Sequence, residues 1–239
     1  MALYYYTNYK YGIENIEKKR VKISTFETLN DPFELATFKQ TKDMRNSLKL
    51  LRESIAKKRG LVCLSRTWKD PLMWGHYGDR FTGICLGFDV LGHERKLLKV
   101  DYEMNRRDPG ELDVKDFSNP TFWEARRLLK TKYEKWEYEQ EERLILTLVD
   151  HEKEIVEGKD GENGTDLYFK KFDSEFKLVE VIFSQMAFSR WKMEENKFKY
   201  TAKNFLPEIE FKVARAAYTK YDIRKNRTLT PKLQTLISV

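Results

Sequence analysis

The sequence predicts an α+β fold: one domain, residues 1–239, with a mixed and mostly antiparallel sheet flanked by helices. Three observations predict it. Helical and strand-like patterns intermix along the chain, with no composition break that marks a linker. The strand-like segments outnumber the helical crossovers that a doubly wound parallel sheet would use. Hydrophobic residues make up 41% of the chain, with 15 Phe, 13 Tyr and 5 Trp, enough to build a core.

Taken in order, ALYYYT reads as a first strand, followed by a helix from Gly12 to about Lys19 and a strand RVKIST. Met44, Leu48, Leu51 and Ile55 fall at helical spacing, which predicts a long helix from about Thr41 to Lys58, with Gly60 as its stop. Strand LVCLSR, a short helix around Leu72–Tyr77 and strand TGICLGFDV follow. LLKVDYE reads as one more strand. Asn119 as a cap and Pro120 at the first position open a helix to about Trp136. Strands ERLILTLV and LVEVIFS, a helix from about Ser189 to Asn204 and strand IEFKVARAAY complete the pattern. Between them, the glycines of Val156–Asp166 predict a long hairpin loop or insertion.

Several function classes are excluded. No GxxxxGK[ST] loop and no GxGxxG after a strand occurs, which removes common ATPases and dehydrogenases. No GxSxG elbow is present. The absence of HExxH and of paired CxxC leaves no metal site expected. No apolar run approaches the roughly 18–20 residues of a membrane helix, so no membrane partner is expected. Cys63 and Cys85 lie in apolar strands and read as buried, reduced thiols. With no basic-then-apolar start, the expected location is cytoplasmic.

The net charge of +7 is placed unevenly. Residues 186–239 hold twelve Lys or Arg and five Asp or Glu, while the rest of the chain balances. Such a concentration reads either as a footprint for nucleic acid or as a solvated basic face.

Four clusters are candidates for a site. On the first strand, alternation sends Tyr5 and Thr7 to one face, where a tyrosine can stack on a flat ring. Ser24 to Glu34 ends in Asn30-Asp31-Pro32-Phe33-Glu34, a turn that would present Asn30, Asp31 and Glu34. Met73 to Asp79 gathers Trp74, His76, Tyr77 and Asp79. Trp136 to Arg143 brings four glutamates to the mouth of an apolar strand, where strand propensity disfavours them. A strand period would put Glu139, Glu141 and Arg143 on one face, the two carboxylates ~7 Å apart, and Gln140 and Glu142 on the other.

These clusters, in this order, resemble a bacterial family called domain of unknown function 2971. The matching segments are LYYYT, ISTFETLNDPFE, VCLS, PLMWGHYGDRFTGICLGFD, the Trp136–Arg143 strand, and KLVEVIFSQ to EFKVARAAYTKYDI. A second resemblance, carried by the opening and IENIEKKRVKIST, is to ADP-ribosyltransferase folds. It implies NAD as the substrate. Tyr5 would stand where many such proteins carry His, and Ser24 or Thr25 at the second-strand position. Glu139-x-Glu141 would be the late-strand carboxylate motif, with Gln140-x-Glu142 fitting one residue along.

The expectation from the resemblance is an enzyme that cleaves the nicotinamide–ribose bond and passes ADP-ribose to nucleic acid or protein, as a defence or toxin effector would. Its catalytic groups would be Glu141, Glu139, Arg143 and His76. Tyr5, Thr7, Ser24, Asn30, Asp31 and Tyr77 would hold NAD. Two alternatives stay open: a nuclease-like protein that uses His76 and the acidic strand end, and a binding module without catalysis.

Overall fold

The computed structural model describes residues 1–26, 29–92, 96–116, 121–156, 165–193 and 209–238. The architecture is α+β with mostly antiparallel strands. Among the described residues the chain runs β1 (Leu3–Thr7), α1 (Tyr9–Glu17), β2 (Arg20–Ile23), α2 (Lys42–Ala56), β3 (Arg59–Ser65), α3 (Pro71–His76), β4 (Ile84–Val90), β5 (Leu97–Lys99) and β6 (Asp101–Glu103). It continues with α4 (Phe122–Leu128), β7 (Thr131–Tyr133), β8 (Glu141–Thr147), β9 (Glu152–Val156), β10 (Thr165–Lys171), β11 (Phe176–Ser184), α5 (Gln185–Met193), β12 (Glu210–Ala216), β13 (Ile223–Lys225) and α6 (Leu229–Ser238). Contacts divide it into two compact units, Met1–Arg20, Leu64–Gly92 and Lys171–Val239 in the first, Val21–Cys63 and His93–Lys170 in the second.

In the first unit the strand order is β13-β12-β11-β4-β1. The pairs are antiparallel except β11–β12. Its core is aliphatic and aromatic. Trp74 is fully buried, its indole N–H donates to the Trp68 carbonyl at 2.7 Å, and the rings of Tyr6 and Phe81 meet it edge-on. α3 forms where the sequence places it, because Asp70 accepts from the Leu72 and Met73 amides and Pro71 suits the first turn. Beyond α3 the consecutive residues Asp79, Arg80 and Phe81 all have positive φ, a left-handed run that is costly outside glycine. Gly83 closes this turn, since a Cβ there would lie 2.1 Å from the Thr7 carbonyl oxygen. α1 starts at Tyr9, not at the expected Gly12, because the Asn8 side chain caps it by accepting from the Tyr11 amide.

In the second unit, residues 59–63 of β3 neighbour β8, and β8 pairs antiparallel with β5. β2-β10-β9 form a second sheet, and β6 pairs parallel with β7. The long helix is α2, capped by Thr41, with Leu48, Leu51 and Ile55 buried against Leu35, Phe38, Leu61, Leu128 and Ile145. Gly60 does not stop that helix. It lies in β3, where a Cβ would come within 2.4 Å of Ile23 Cγ2, so close strand packing explains it.

Three expectations are corrected here. LLKVDYE is not one strand: β5 and β6 belong to different sheets. The helix drawn to Trp136 ends at Leu128, opened by a Thr121–Glu124 capping box. Asn119 and Pro120 lie outside the described residues. The chain after α4 forms β7 and then a 3-10 turn, Glu134–Glu139. The helix drawn from Ser189 to Asn204 begins at Gln185, and its later half, like most of the 156–166 loop, also lies outside the described residues.

Candidate functional site

The acidic segment delivers its carboxylates by a route other than a strand. Glu139 ends the 3-10 turn, Gln140 has φ +44°, and β8 starts at Glu141. The left-handed residue swings the chain so that Glu139 and Glu141 enter one buried cluster. The period-two geometry expected for Glu139 is therefore replaced, while its juxtaposition with Glu141 and Arg143 is kept.

Arg143, 1% exposed, is the hub. Its Nε and Nη2 donate to the two oxygens of Glu141 at 3.0 and 3.1 Å. Its Nη1 and Nη2 fork onto Glu34 at 2.6 and 2.9 Å, and Nη1 also reaches the Leu129 carbonyl at 2.9 Å. Lys132 donates to Glu139 at 2.5 Å and to Glu141 at 3.3 Å. All five side chains are buried. Formally they are three carboxylates and two cations, so the cluster carries one net negative charge. The Glu141 amide donates to the Tyr102 hydroxyl at 2.7 Å, and the Cys63 thiol hydrogen-bonds the Glu141 carboxylate.

The electrostatics follow from these contacts. Burial alone would raise the Glu141 carboxyl, but Arg143 and Lys132 outweigh it and hold it well below the usual carboxylate range. Burial would lower the Lys132 ammonium, and Glu141 and Glu139 overcome it. Burial, with the Glu141 charge, pushes the Cys63 thiol up, so it is no nucleophile near neutrality.

Two adjoining cavities lie in the same unit, sharing Phe33, Ala36 and Arg106 as a common wall. The smaller, about 380 Å³, is lined also by Thr37, Glu103, Thr131, Lys132 and Tyr133. The larger, about 730 Å³, has Arg45, Lys49 and Arg52 from α2 facing Asp31 and Glu34. The Arg106 guanidinium sits 4.7 Å from the centre of the Phe33 ring. The NDPFE turn builds this wall: Asp31 Oδ1 accepts from the Phe33 amide at 2.9 Å, and Leu35 turns the chain with φ +61°. Three buried polar atoms on these walls have no hydrogen-bond partner among the described residues: Asp31 Oδ2, Thr37 Oγ1 and Thr131 Oγ1. Buried polar atoms are nearly always paired, so such a group of orphans calls for a physical reason.

The second unit thus holds Ser24, Asn30, Asp31, Glu139, Glu141 and Arg143 of the expected site. Asp31 lines the larger cavity; Asn30 is exposed. The Ser24 backbone bridges to Leu61. Tyr5, Thr7, His76 and Tyr77 belong to the first unit. There Tyr5 pairs with Leu86, Thr7 with Ile84, and His76 is exposed at the end of α3 with its ring 6.3 Å from that of Tyr77. Sequence reading missed Lys132, the partner of both glutamates, and the α2 cations. Lys132 stood inside a predicted helix and gave no signal. Arg45, Lys49 and Arg52 recur on one side of a helix read only for its apolar stripe.

Among the described residues no cluster of three or more His, Cys, Asp or Glu side chains is placed to hold a metal ion, and no helix is long and apolar enough to cross a membrane. Comparison of the chain with protein-family models, with curated proteins and with solved structures returns no match.

Proposed function

We propose that the paired cavities of the second unit bind NAD, and that the protein is an ADP-ribosyltransferase-like enzyme. One observation carries the reading: the two cavities differ in character and share a wall. Arg45, Lys49, Arg52 and Arg106 surround the larger one, a fit for a diphosphate. Phe33 and Tyr133 line the smaller one together with the unpaired threonine hydroxyls, a fit for a ring and a ribose.

The chemistry suits the charge behind that wall. When the C1′–N bond breaks, nicotinamide leaves with the bonding electron pair and the ribose becomes oxocarbenium-like. An acceptor hydroxyl or amine then forms the new bond at C1′ and gives up its proton. A fixed negative charge stabilises the cation that exists only at the transition state. Glu141, kept ionised by Arg143 and Lys132, belongs to a cluster with that net charge.

A second reading, a module that holds a nucleotide without cleaving it, is favoured by a different fact: both Glu141 oxygens are already engaged by Arg143 and Lys132. One experiment separates the two. NAD labelled in nicotinamide and NAD labelled in its adenylate phosphate are each incubated with the protein plus cellular nucleic acid and protein. The transferase reading expects nicotinamide release and adenylate label on an acceptor, with Glu141→Gln at least ~10²-fold slower and Glu142→Gln unchanged. Saturable NAD binding without release would leave the binding module. Absence of NAD binding, by calorimetry at millimolar ligand, would overturn both.

A further inference from the structure

We infer that the β12–β13 edge of the first unit is a surface for single-stranded nucleic acid. This stands apart from the NAD reading and uses none of its residues. β13 is the terminal strand of its sheet, and the register places Arg215 directly opposite Arg224. Like charges facing across a ladder are destabilising, and among the described residues only Arg224 of the two has a carboxylate, Asp222, to offset it. At the tip that joins the two strands, Tyr218 and Tyr221 are 88% and 102% exposed. Two phenol rings in water next to a run of cations bury nothing for the fold. The Arg215 guanidinium lies 4.2 Å from the centre of the Tyr218 ring, which presents cation and ring as one unit.

The local charge balance supports a polyanion. Asp222 takes Arg224, and Glu210 takes Lys212 and Lys225. Arg215, Lys220 and Lys69 have no carboxylate partner among the described residues. Lys69 joins this surface because its carbonyl accepts from the Ile223 amide at 2.8 Å. Cations on an edge strand can also serve only to block edge-to-edge pairing. That role explains Arg224 and Lys225 but places no demand for two exposed tyrosines. Unpaired bases do: each offers a face for stacking, while its phosphate meets a cation. Bases in a duplex are already stacked on each other, which selects the single strand.

The test is fluorescence anisotropy of a fluorescein-labelled 15-nucleotide oligo(dT) and an oligo(U) of equal length, without NAD. Saturable binding is expected, with log K falling against log salt at a slope of about −2 if three cations each meet a phosphate. Tyr218→Ala with Tyr221→Ala should weaken binding roughly tenfold or more, and the double Phe variant should stay within about threefold of wild type, because stacking needs the ring and not the hydroxyl. Arg215→Gln with Lys220→Gln should flatten the salt slope by about 1.4. Both tyrosines are exposed, so thermal melts of the variants should overlay that of the wild type. Absence of binding, unchanged binding in the double Ala variant, or equal affinity for heparin and a 15-base-pair duplex would each overturn the inference.

Discussion

The two units solve the problem of a buried interior differently. The first fills it mainly with rings and aliphatic chains, centred on Trp74, Phe88, Phe176 and Phe183, and also buries Arg20. The second places five ionisable side chains in its interior, tied to one another through Arg143 and Lys132. An apolar interior gains from every ångström of surface removed from water. A buried ionic one gains only if every charge is paired, and apolar residues of equal volume often do as well or better. The unit that bears the costlier interior is also the one that holds the two adjoining cavities, with Asp31, Thr37 and Thr131 orphaned on their walls.

The comparison is broken most severely by single truncations at the two centres. Trp74→Ala should cost about 3–5 kcal/mol from lost burial and the cavity left behind. Arg143→Met should cost a similar ~3–5 kcal/mol for a different reason, because Glu34 and Glu141 lose their main cation while buried. Denaturant unfolding measures both. Arg143→Lys sharpens the contrast: it keeps the charge but cannot fork onto two carboxylates at once, so a loss of about half that of Arg143→Met is expected. A loss below ~1 kcal/mol in Arg143→Met would mean that the cluster is solvated and that the two interiors are alike.

pH separates the two mechanisms where size does not. The folded Glu141 carboxyl lies below its unfolded value near 4.3, so its contribution is fully present above about pH 5 and is lost as pH falls toward the folded pKa. Lys132 is raised, so its contribution is fully present below about pH 10 and is lost only as pH rises above that. Unfolding free energies from pH 7 down to pH 3 should therefore converge for wild type and Glu141→Gln. The gap between wild type and Trp74→Ala should stay constant across the same range. A gap for Glu141→Gln that does not shrink on acidification would sink the ionic account of the second unit.

Legibility in the sequence divides along the same line. α2 was readable because its apolar stripe and Thr41 cap are local signals, and β4 and β11 because they are short apolar runs. The joining of Glu139, Glu141 and Arg143 was readable for a reason that proved incomplete. Period two does bring Glu141 and Arg143 together on β8, but Glu139 joins them through a left-handed Gln140, and no residue type announces a positive φ there. Glu34 stood inside a recognised turn, but its pairing with Arg143 spans 109 positions and leaves no local trace. β6 and β7 could not be told from a longer strand and a longer helix, since each is only three residues and is held by a partner distant in sequence.

The smallest expected effect on stability is the most informative about the cavities. Thr131 is 3% exposed, and its hydroxyl has no hydrogen-bond partner among the described residues. Thr→Val replaces that hydroxyl by a methyl of nearly the same shape. An unsatisfied buried hydroxyl costs about 1–3 kcal/mol, so Thr131→Val should be neutral or stabilising by up to ~1 kcal/mol. Thr37→Val should behave alike, because its hydroxyl is orphaned on the wall of the same cavity. For a purely structural orphan the matter ends there. If ribose hydroxyls complete these groups, NAD affinity falls roughly fivefold to tenfold per substitution, the size of one hydrogen bond of ~1 kcal/mol or slightly more. A folded, equally stable variant with weakened binding identifies the orphans as ligand contacts. Destabilisation by more than ~1 kcal/mol would show instead that the hydroxyls are paired within the protein, and would remove them from the site.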